Sequence, residues 1–214
     1  MPRSRTKGVF CLEGDWYPDL RRPTTVGPVL DLLEKSNIPP VPSIRRDIGT
    51  VPELEYYLQK WTQQRYARYP ILYLGFHGSP GELHVGPRYA EQVTLDWLED
   101  RLEGKCKRRV VHFGSCGTLA IHGNRLNRFL ERTEALAVCG YEGDVDWMLS
   151  TAFEIVLLSG FQQNTFTRPG MAAVERRVRS QAARLVRDLK FRMVVAPRRS
   201  RGRRAQSSSS GDQG

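Results

Sequence analysis

Two short apolar segments each end in a side chain that could take part in nucleophilic chemistry. Residues Ile71 to Gly78 read ILYLGFHG, and residues Val110 to Gly117 read VVHFGSCG. Apolar runs of about four to eight residues bounded by glycine or proline are typical of buried parallel strands. Ligands and reactions gather at the carboxyl ends of such strands, so we expect His77 and Cys116 to share one crevice. An imidazole base beside a thiol suggests a cysteine hydrolase.

The chemistry of such a pair depends on the proton of the thiol. The thiolate is the nucleophile, and an unperturbed thiol, with a pKa of about 8.5, is mostly protonated at neutral pH. An imidazole at position 77 could take that proton and later return it to the leaving group. Glycine at positions 78 and 117 would let a substrate backbone approach closely.

The arrangement resembles the caspase-like cysteine peptidases, the group that holds caspases, metacaspases, gingipains, separase and the bacterial CHAT domains. In that group a His-Gly pair follows one core strand and the cysteine ends the next parallel strand, with a hairpin and a helix between. Here the pair is His77-Gly78, GELHVG (Gly81 to Gly86) supplies the hairpin and TLDWLEDRLEG (Thr94 to Gly104) the helix. Gly-Ser-Cys-Gly replaces the caspase string Gln-Ala-Cys-Arg-Gly, which favours a bacterial-type member over an aspartate-specific caspase.

The resemblance implies an activity and roles for individual residues. It implies a cysteine endopeptidase with His77 and Cys116 as catalytic residues. The backbone N–H groups of Gly78 and Cys116 would form the oxyanion hole. No cofactor and no metal are expected, and the partner is a peptide or protein substrate.

The resemblance also points to a segment for the substrate pocket. In related peptidases the region after the strand that follows the catalytic cysteine helps to form this pocket, and here it reads GYEGDVDWMLS. We expect Asp144, Asp146 and Trp147 to line it. Acidic residues there would favour Arg or Lys before the scissile bond. The alternative is that Asp146 only caps the following helix and that Asp144 is solvated.

The remaining sequence alternates strand-like and helix-like segments. Thr50 lies three residues before Glu53 in a capping-box arrangement, and Thr94 precedes a stripe of leucines. Besides the two segments described first, strands are predicted at Lys7 to Gly14, Ser43 to Ile48 and Ala135 to Glu142, and helices at Thr24 to Asn37, after Thr50, at Thr94 to Gly104, around Leu126 to Leu130, and from Asp146 to Ser159 with Gly160 as the stop. This alternation predicts a three-layer α/β/α sandwich with a mainly parallel, caspase-like sheet.

Length and charge suggest one domain with a basic end. We expect an α/β domain at residues 8–196, after a flexible N-terminus (1–7) and before a disordered basic tail (197–214). Residues 168–214 hold 13 Lys or Arg against 3 Asp or Glu, which equals the net charge of +10 of the whole chain. Within them one further helix is expected, with an apolar stripe of Val174, Val178, Ala182, Leu185 and Leu189.

The basic end leaves two functions open. The first is the endopeptidase, acting on a dedicated protein in a bacterial regulatory or defence pathway, with a regulatory protein partner. The second is a noncatalytic α/β interaction module whose basic C-terminus binds nucleic acid or an acidic protein. No segment has the length of a transmembrane helix and the N-terminus lacks the apolar stretch of a signal peptide, so we expect a cytoplasmic protein without membrane contact.

Other cysteines and histidines carry weaker signals. Cys11 and Cys139 lie in apolar runs and are expected in the core, whereas Cys106, between two lysines, is expected to be exposed. His84 is expected at the surface, and His112 in the core or a groove.

Two further chemistries are set aside on spacing. A zinc site of His112, Cys116 and His122 has spacings of four and six, which match no common structural zinc pattern. Ser115 lacks the Gly-x-Ser-x-Gly elbow of a serine hydrolase and is expected only to shape the turn.

Overall fold

The structure is a computed structural model that describes residues 6–19, 21–22, 24–35, 39–86 and 90–197. The described strands are β1 (Val9–Glu13), β2 (Ser43–Asp47), β3 (Ile71–Gly75), β4 (His77–Ser79), β5 (Glu82–Val85), β6 (Glu91–Thr94), β7 (Val110–Phe113), β8 (Ala137–Tyr141) and β9 (Phe191–Val195). The described α-helices are α1 (Gly27–Lys35), α2 (Val51–Trp61), α3 (Leu95–Leu102), α4 (Gly123–Thr133), α5 (Trp147–Gln162), α6 (Arg168–Gln181) and α7 (Ala183–Asp188).

Six of these strands form one mainly parallel sheet. Its order is β2-β1-β3-β7-β8-β9, in which β9 alone runs antiparallel to its neighbour. A second, antiparallel sheet holds β4, β5 and β6. The hairpin predicted between the histidine and the helix α3 is part of this small sheet. It lies between β3 and β7 in sequence, so the two central strands deliver His77 and Cys116 to the same edge of the large sheet.

Helices cover both faces of the large sheet. Alternate residues of each central strand enter different cores: Ile71 and Tyr73 pack with α1, α5 and α6, whereas Leu72 and Leu74 pack with α2, α3 and α4. All five residues of β1 are buried, as expected of a strand covered on both sides. The fold is therefore the predicted three-layer α/β/α sandwich with a mainly parallel sheet.

The predicted helix caps are present. The Thr50 hydroxyl accepts a hydrogen bond from the Glu53 N–H, and the Thr94 hydroxyl accepts one from the Trp97 N–H. A side-chain acceptor satisfies a backbone donor that the first turn of a helix leaves without a partner. These caps fix where α2 and α3 begin.

The C-terminal part of the chain departs from the sequence prediction in three ways. Helix α5 does not stop at Gly160 but continues to Gln162. A Cβ at position 160 would lie 3.8 Å from both Val174 and Val178, so the glycine lies at the contact with α6. That packing outweighs the roughly 1 kcal/mol by which glycine disfavours a helix. The single basic helix is two helices that meet at Ala182, and β9 was not predicted.

The prediction that Cys106 is exposed is wrong. Its side chain is 0% exposed and packs in the core under α3 and α4, and its N–H donates to the Thr133 carbonyl. Burial raises the pKa of the Cys106 thiol to about 12. The lysines on either side point outwards, so their charge gave a false signal for the residue between them.

The predicted terminal segments lie mostly outside the described residues. Residues 1–5 and 198–214 are not described, so the flexible N-terminus and the basic tail stay predictions. Lys7, within the predicted flexible segment, is described: its backbone N–H donates to Gln162 Oε1 at 2.9 Å. Within the described ranges, no helix combines the length and apolar character needed to cross a membrane.

Candidate active site

A cavity of about 160 Å³ lies at the carboxyl edge of the large sheet. Its lining comes from the ends of several strands, with Trp16 after β1, His77 after β3 and Cys116 after β7. Trp147 and Glu154 reach it from α5. The structure thus brings His77 and Cys116 into one cavity, where the sequence pattern placed them. All four cysteines of the chain are described, and Cys116 is the one that is not fully buried.

The backbones on either side of the cavity touch. A Cβ added to Gly78 would lie 2.9 Å from the carbonyl oxygen of Cys116, so this position has no room for a side chain. Gly117 adopts a φ of 62°, a left-handed conformation that favours glycine. Among the described residues, the N–H of Cys116 has no hydrogen-bond partner. The loop therefore leaves this donor available to a ligand in the cavity.

The ring of His77 is oriented by a backbone carbonyl. Its Nε2 lies 2.9 Å from the carbonyl oxygen of Trp16. A carbonyl can only accept, so Nε2 carries the hydrogen and, in the neutral ring, Nδ1 carries the lone pair. The Trp16 and His77 rings also pack edge to face, with centroids 5.4 Å apart. The contact with the Trp16 carbonyl therefore selects the tautomer in which Nδ1 carries no hydrogen.

The loop that supplies this carbonyl is held by Glu13, the last residue of β1. The Glu13 side chain is 3% exposed. Its Oε1 accepts hydrogen bonds from Trp16 Nε1 at 2.6 Å and from the Val26 N–H at 2.8 Å, and its Oε2 accepts one from the Thr25 hydroxyl at 2.6 Å. Sequence reasoning missed Glu13 and Trp16. An acidic residue at the end of an otherwise apolar strand was the available signal.

A polar network lies beneath the cavity. Tyr73 and Tyr141 donate hydrogen bonds to the Glu154 carboxylate at 2.8 and 3.1 Å. Burial, with the nearby Glu154 charge, raises the pKa of both tyrosines well above the usual value, so both keep their protons. Glu154, 4% exposed, thereby obtains the hydrogen bonds that a buried carboxylate requires.

His112 completes the network from β7. Its Nε2 lies 3.3 Å from Glu154 Oε1 and its Nδ1 3.4 Å from the Cys139 sulfur. Burial alone lowers the pKa of His112, but the interactions with Cys139 and Glu154 outweigh it and raise that pKa to about 10. A protonated ring donates to both partners. His112 is thus a core residue with satisfied hydrogen bonds, as the sequence suggested, and it packs behind the cavity.

The predicted pocket residues divide into two groups. Trp147 lines the cavity, and its ring packs edge to face on Trp16 at 5.0 Å between centroids. Asp144 and Asp146 are exposed and do not line this cavity. The Asp146 carboxylate accepts a hydrogen bond from the Leu149 N–H at 2.9 Å and so caps α5. The carboxylate that does line the cavity belongs to Glu154.

The other candidate residues have separate structural partners. His84 is half-buried, and its Nε2 lies 2.9 Å from the Ser79 hydroxyl. Ser115 is buried and donates to the Leu74 carbonyl at 3.2 Å. His122 caps α4 through Nδ1. No group of three or more metal-ligating side chains occurs in the part of the chain that the structure describes.

The fold and the cavity define an α/β protein with a histidine and a cysteine at the carboxyl edge of its sheet. The chain belongs to a family of unknown function (DUF6642), whose model matches residues 6–195. It is also similar to the crystal structure of caspase-1 from Spodoptera frugiperda, with 12% sequence identity, coverage of 82% of this chain and 76% of that chain, and a TM-score of 0.49. No curated protein matches the chain.

Proposed function

We propose that this protein is a caspase-like cysteine endopeptidase in which His77 and Cys116 act as a catalytic dyad. One observation carries the proposal: both residues line one cavity, and the histidine ring is held there by the Trp16 carbonyl. An accessible thiol and an oriented imidazole in one cavity are the two groups that nucleophilic catalysis by cysteine uses. The N–H of Cys116, which has no hydrogen-bond partner among the described residues, supports the second element of the proposal, a donor to the oxyanion.

In the proposed mechanism, His77 Nδ1 takes the proton of the Cys116 thiol. The thiolate attacks the peptide carbonyl carbon, and the N–H groups of Gly78 and Cys116 stabilise the negative oxygen. His77 then gives the proton to the departing amine, which leaves a thioester. Water, deprotonated by His77, hydrolyses the thioester and restores the thiol. Loss of one oxyanion donor typically costs about 3 kcal/mol of transition-state stabilisation.

The substrate preference is part of the same proposal. The sequence predicts a preference for Arg or Lys before the scissile bond through Asp144 or Asp146, but neither residue lines this cavity. The Trp16 and Trp147 rings that do line it suit the apolar stem of a long side chain such as Arg or Lys. Cleavage of a fluorogenic peptide library would measure this preference. Efficient cleavage after Asp would contradict it.

The dyad is tested by substitution and by labelling. Cys116→Ala should abolish peptide cleavage, and His77→Ala should lower it by several orders of magnitude, because residues that act as a unit fail together. Ser115→Ala is the matched neighbour and should retain activity. Iodoacetamide should label the folded protein at Cys116, since the other cysteines are buried. Equal cleavage by wild type and Cys116→Ala would remove the proposed nucleophile.

A second candidate function is the noncatalytic interaction module that binds nucleic acid or an acidic protein. Exposed arginines on α6 and α7, which are Arg176, Arg179, Arg184 and Arg187, favour it. Phosphate contacts by Lys and Arg release counterions, so such binding should weaken with added salt. It should also be unchanged in Cys116→Ala. Peptide cleavage that depends on Cys116 separates the first function from the second.

A further inference from the structure

A second and larger cavity, of about 620 Å³, lies at the amino edge of the large sheet. Lys7 and Arg109 enter it just before β1 and β7, so it lies opposite the edge that holds Cys116. Its described lining contains no Asp or Glu. Six cationic side chains line it, namely Lys7, Arg68, Lys105, Lys107, Arg108 and Arg109.

We propose that this cavity, which we term the basic cavity, binds a small ligand that carries several phosphate groups in series. The proposal does not depend on the catalytic dyad. It rests on the excess of positive charge over the groups that could neutralise it within the protein.

The C-terminal ends of three helices neutralise part of this positive charge. Arg109 donates to the Trp61 carbonyl at the end of α2, Lys105 to the Arg101 carbonyl in α3, and Lys7 to the Gln162 carbonyl at the end of α5. Each helix C-terminus is equivalent to about −0.5 of an elementary charge. Three helix ends therefore offset only about one and a half of the six positive charges.

The remaining cations have little compensation. Lys107 pairs with Glu134 at 3.1 Å, which offsets one more charge. The side chains of Arg68 and Arg108 make no hydrogen bond or ion pair with any described residue. Burial lowers the pKa of Lys7 and the pKa of Arg109. This is the direction expected for a buried cation that lacks a counter-ion. A net positive charge of about three and a half is thus not neutralised by the described residues.

Arg108 lies in a turn that is closed by a hydrogen bond from the Arg109 N–H to the Cys106 carbonyl. Within this turn Arg108 has a φ of 60°, in the left-handed region that a residue with a Cβ rarely adopts. The turn places the guanidinium of Arg108, which pairs with no described residue, in the lining of the basic cavity.

Size and chemistry select the ligand. A volume of several hundred Å³ is typical of sites for small molecules rather than for long polymers. Phosphate oxygens match the donors of arginine and lysine, and several linked phosphates can neutralise three charges where a single carboxylate cannot. Thr62, Thr165 and Phe166 also line the cavity. A chain of phosphates, either inorganic or attached to a nucleoside, meets all of these conditions.

The test uses the full-length protein and isothermal titration with inorganic tripolyphosphate and with a nucleoside triphosphate. We expect saturable binding at one site that weakens with added salt. The double variant Arg68→Gln, Arg108→Gly should weaken it about tenfold or more, because two charged hydrogen-bond donors are lost. Glycine at position 108 preserves the left-handed backbone, so this variant should fold. The matched control is Arg203→Gln, Arg204→Gln, which removes the same charge from the tail.

The outcomes decide both the site and the source of the phosphates. Tighter binding of the nucleoside triphosphate assigns a nucleotide, and equal binding assigns inorganic polyphosphate. Loss of binding in the tail variant to the same degree as in the cavity variant would overturn the proposal. So would binding of an oligonucleotide when neither triphosphate binds, because that result points to an extended nucleic-acid surface.

Discussion

Glu13 is the residue on which the orientation of the proposed base depends. Its two carboxylate oxygens hold the indole of Trp16 and the turn at residues 25–26, and Trp16 in turn holds His77. Three donors satisfy a carboxylate that would otherwise be costly to bury. Glu13 touches neither the sulfur nor a substrate, so it is a positioning residue. Its effect on catalysis must pass through the Trp16 carbonyl.

Glu13→Gln should therefore slow catalysis without abolishing it. The amide group replaces one acceptor oxygen by a donor, so one of the three hydrogen bonds is lost and the Trp16 loop shifts. We expect kcat to fall about tenfold with little change in KM, because even a small displacement of a catalytic group lowers the rate of the chemical step. The measurement is steady-state peptide cleavage across pH, together with the rate of alkylation of Cys116.

Asp31→Asn, on the exposed face of α1, is the control for this experiment. A purely structural role for Glu13 would lower the melting temperature but leave the pH dependence of alkylation unchanged. An unaltered pH profile in Glu13→Gln would rule out the positioning role.

At the scale of elements, the network around Glu154 connects three strands to one helix. Tyr73 lies on β3, His112 on β7 and Tyr141 on β8, and all of them contact Glu154 on α5. Burying a charged pair is favourable only when its hydrogen bonds are satisfied, as they are here. The network fixes α5 over the sheet, and with it the position of Trp147 in the cavity.

This network should make stability depend on alkaline pH. The pKa of His112 is raised from its ordinary 6.5 to about 10 in the folded protein. The folded state therefore binds the proton more tightly, so the contribution of His112 is complete below about pH 6.5, declines as pH rises and is lost above about pH 10. Urea denaturation at pH 7 and pH 9.5 should show a lower midpoint at the higher pH.

Glu154→Gln tests the cause of this dependence. The amide can keep only one of the two tyrosine hydrogen bonds, and it removes the charge that stabilises the imidazolium. The loss of stability between pH 7 and pH 9.5 should therefore be smaller in the variant. An identical loss in both proteins would exclude the His112–Glu154 pair as its source.

The sequence predicted those helices and strands whose signal lies within a few consecutive residues. Thr50 and Thr94 marked helix starts, and the strands that end near His77 and Cys116 were readable from their apolar runs. Strand β9 was missed, although Phe191 and Met193 alternate with less buried residues, because its antiparallel partner β8 lies far away in the sequence. Glu13 and Glu154 were missed because their partners come from distant elements. The role of a buried polar residue becomes clear only when the tertiary structure shows its hydrogen-bond partners.

At the scale of the whole molecule, β9 defines how much of the C-terminus the domain needs. The Ala196 N–H donates to the Leu136 carbonyl, and the buried side chains of Phe191 and Met193 pack on the core. Truncation after Pro197 should therefore leave the fold and small-peptide cleavage intact. Truncation after Lys190 should prevent stable folding because it removes the edge strand. Circular dichroism and peptide cleavage measure both outcomes.

Two results would contradict these expectations about the C-terminus. Loss of the fold when only residues 198–214 are removed would mean that they pack on the domain. Retention of the fold after removal of β9 would mean that the edge strand is dispensable. Either result would move the domain boundary.

The cavity lining has a consequence for the newly made protein. Trp16, His77, Cys116 and Trp147 come from four distant parts of the chain, and parallel strands meet only after long crossover connections have closed. Contacts that are distant in sequence form slowly. Until β3 and β7 have paired, the Cys116 thiol and the His77 ring therefore lie apart. If the protein is a peptidase, it cannot digest itself or its neighbours during synthesis, and its activity begins only when folding is complete.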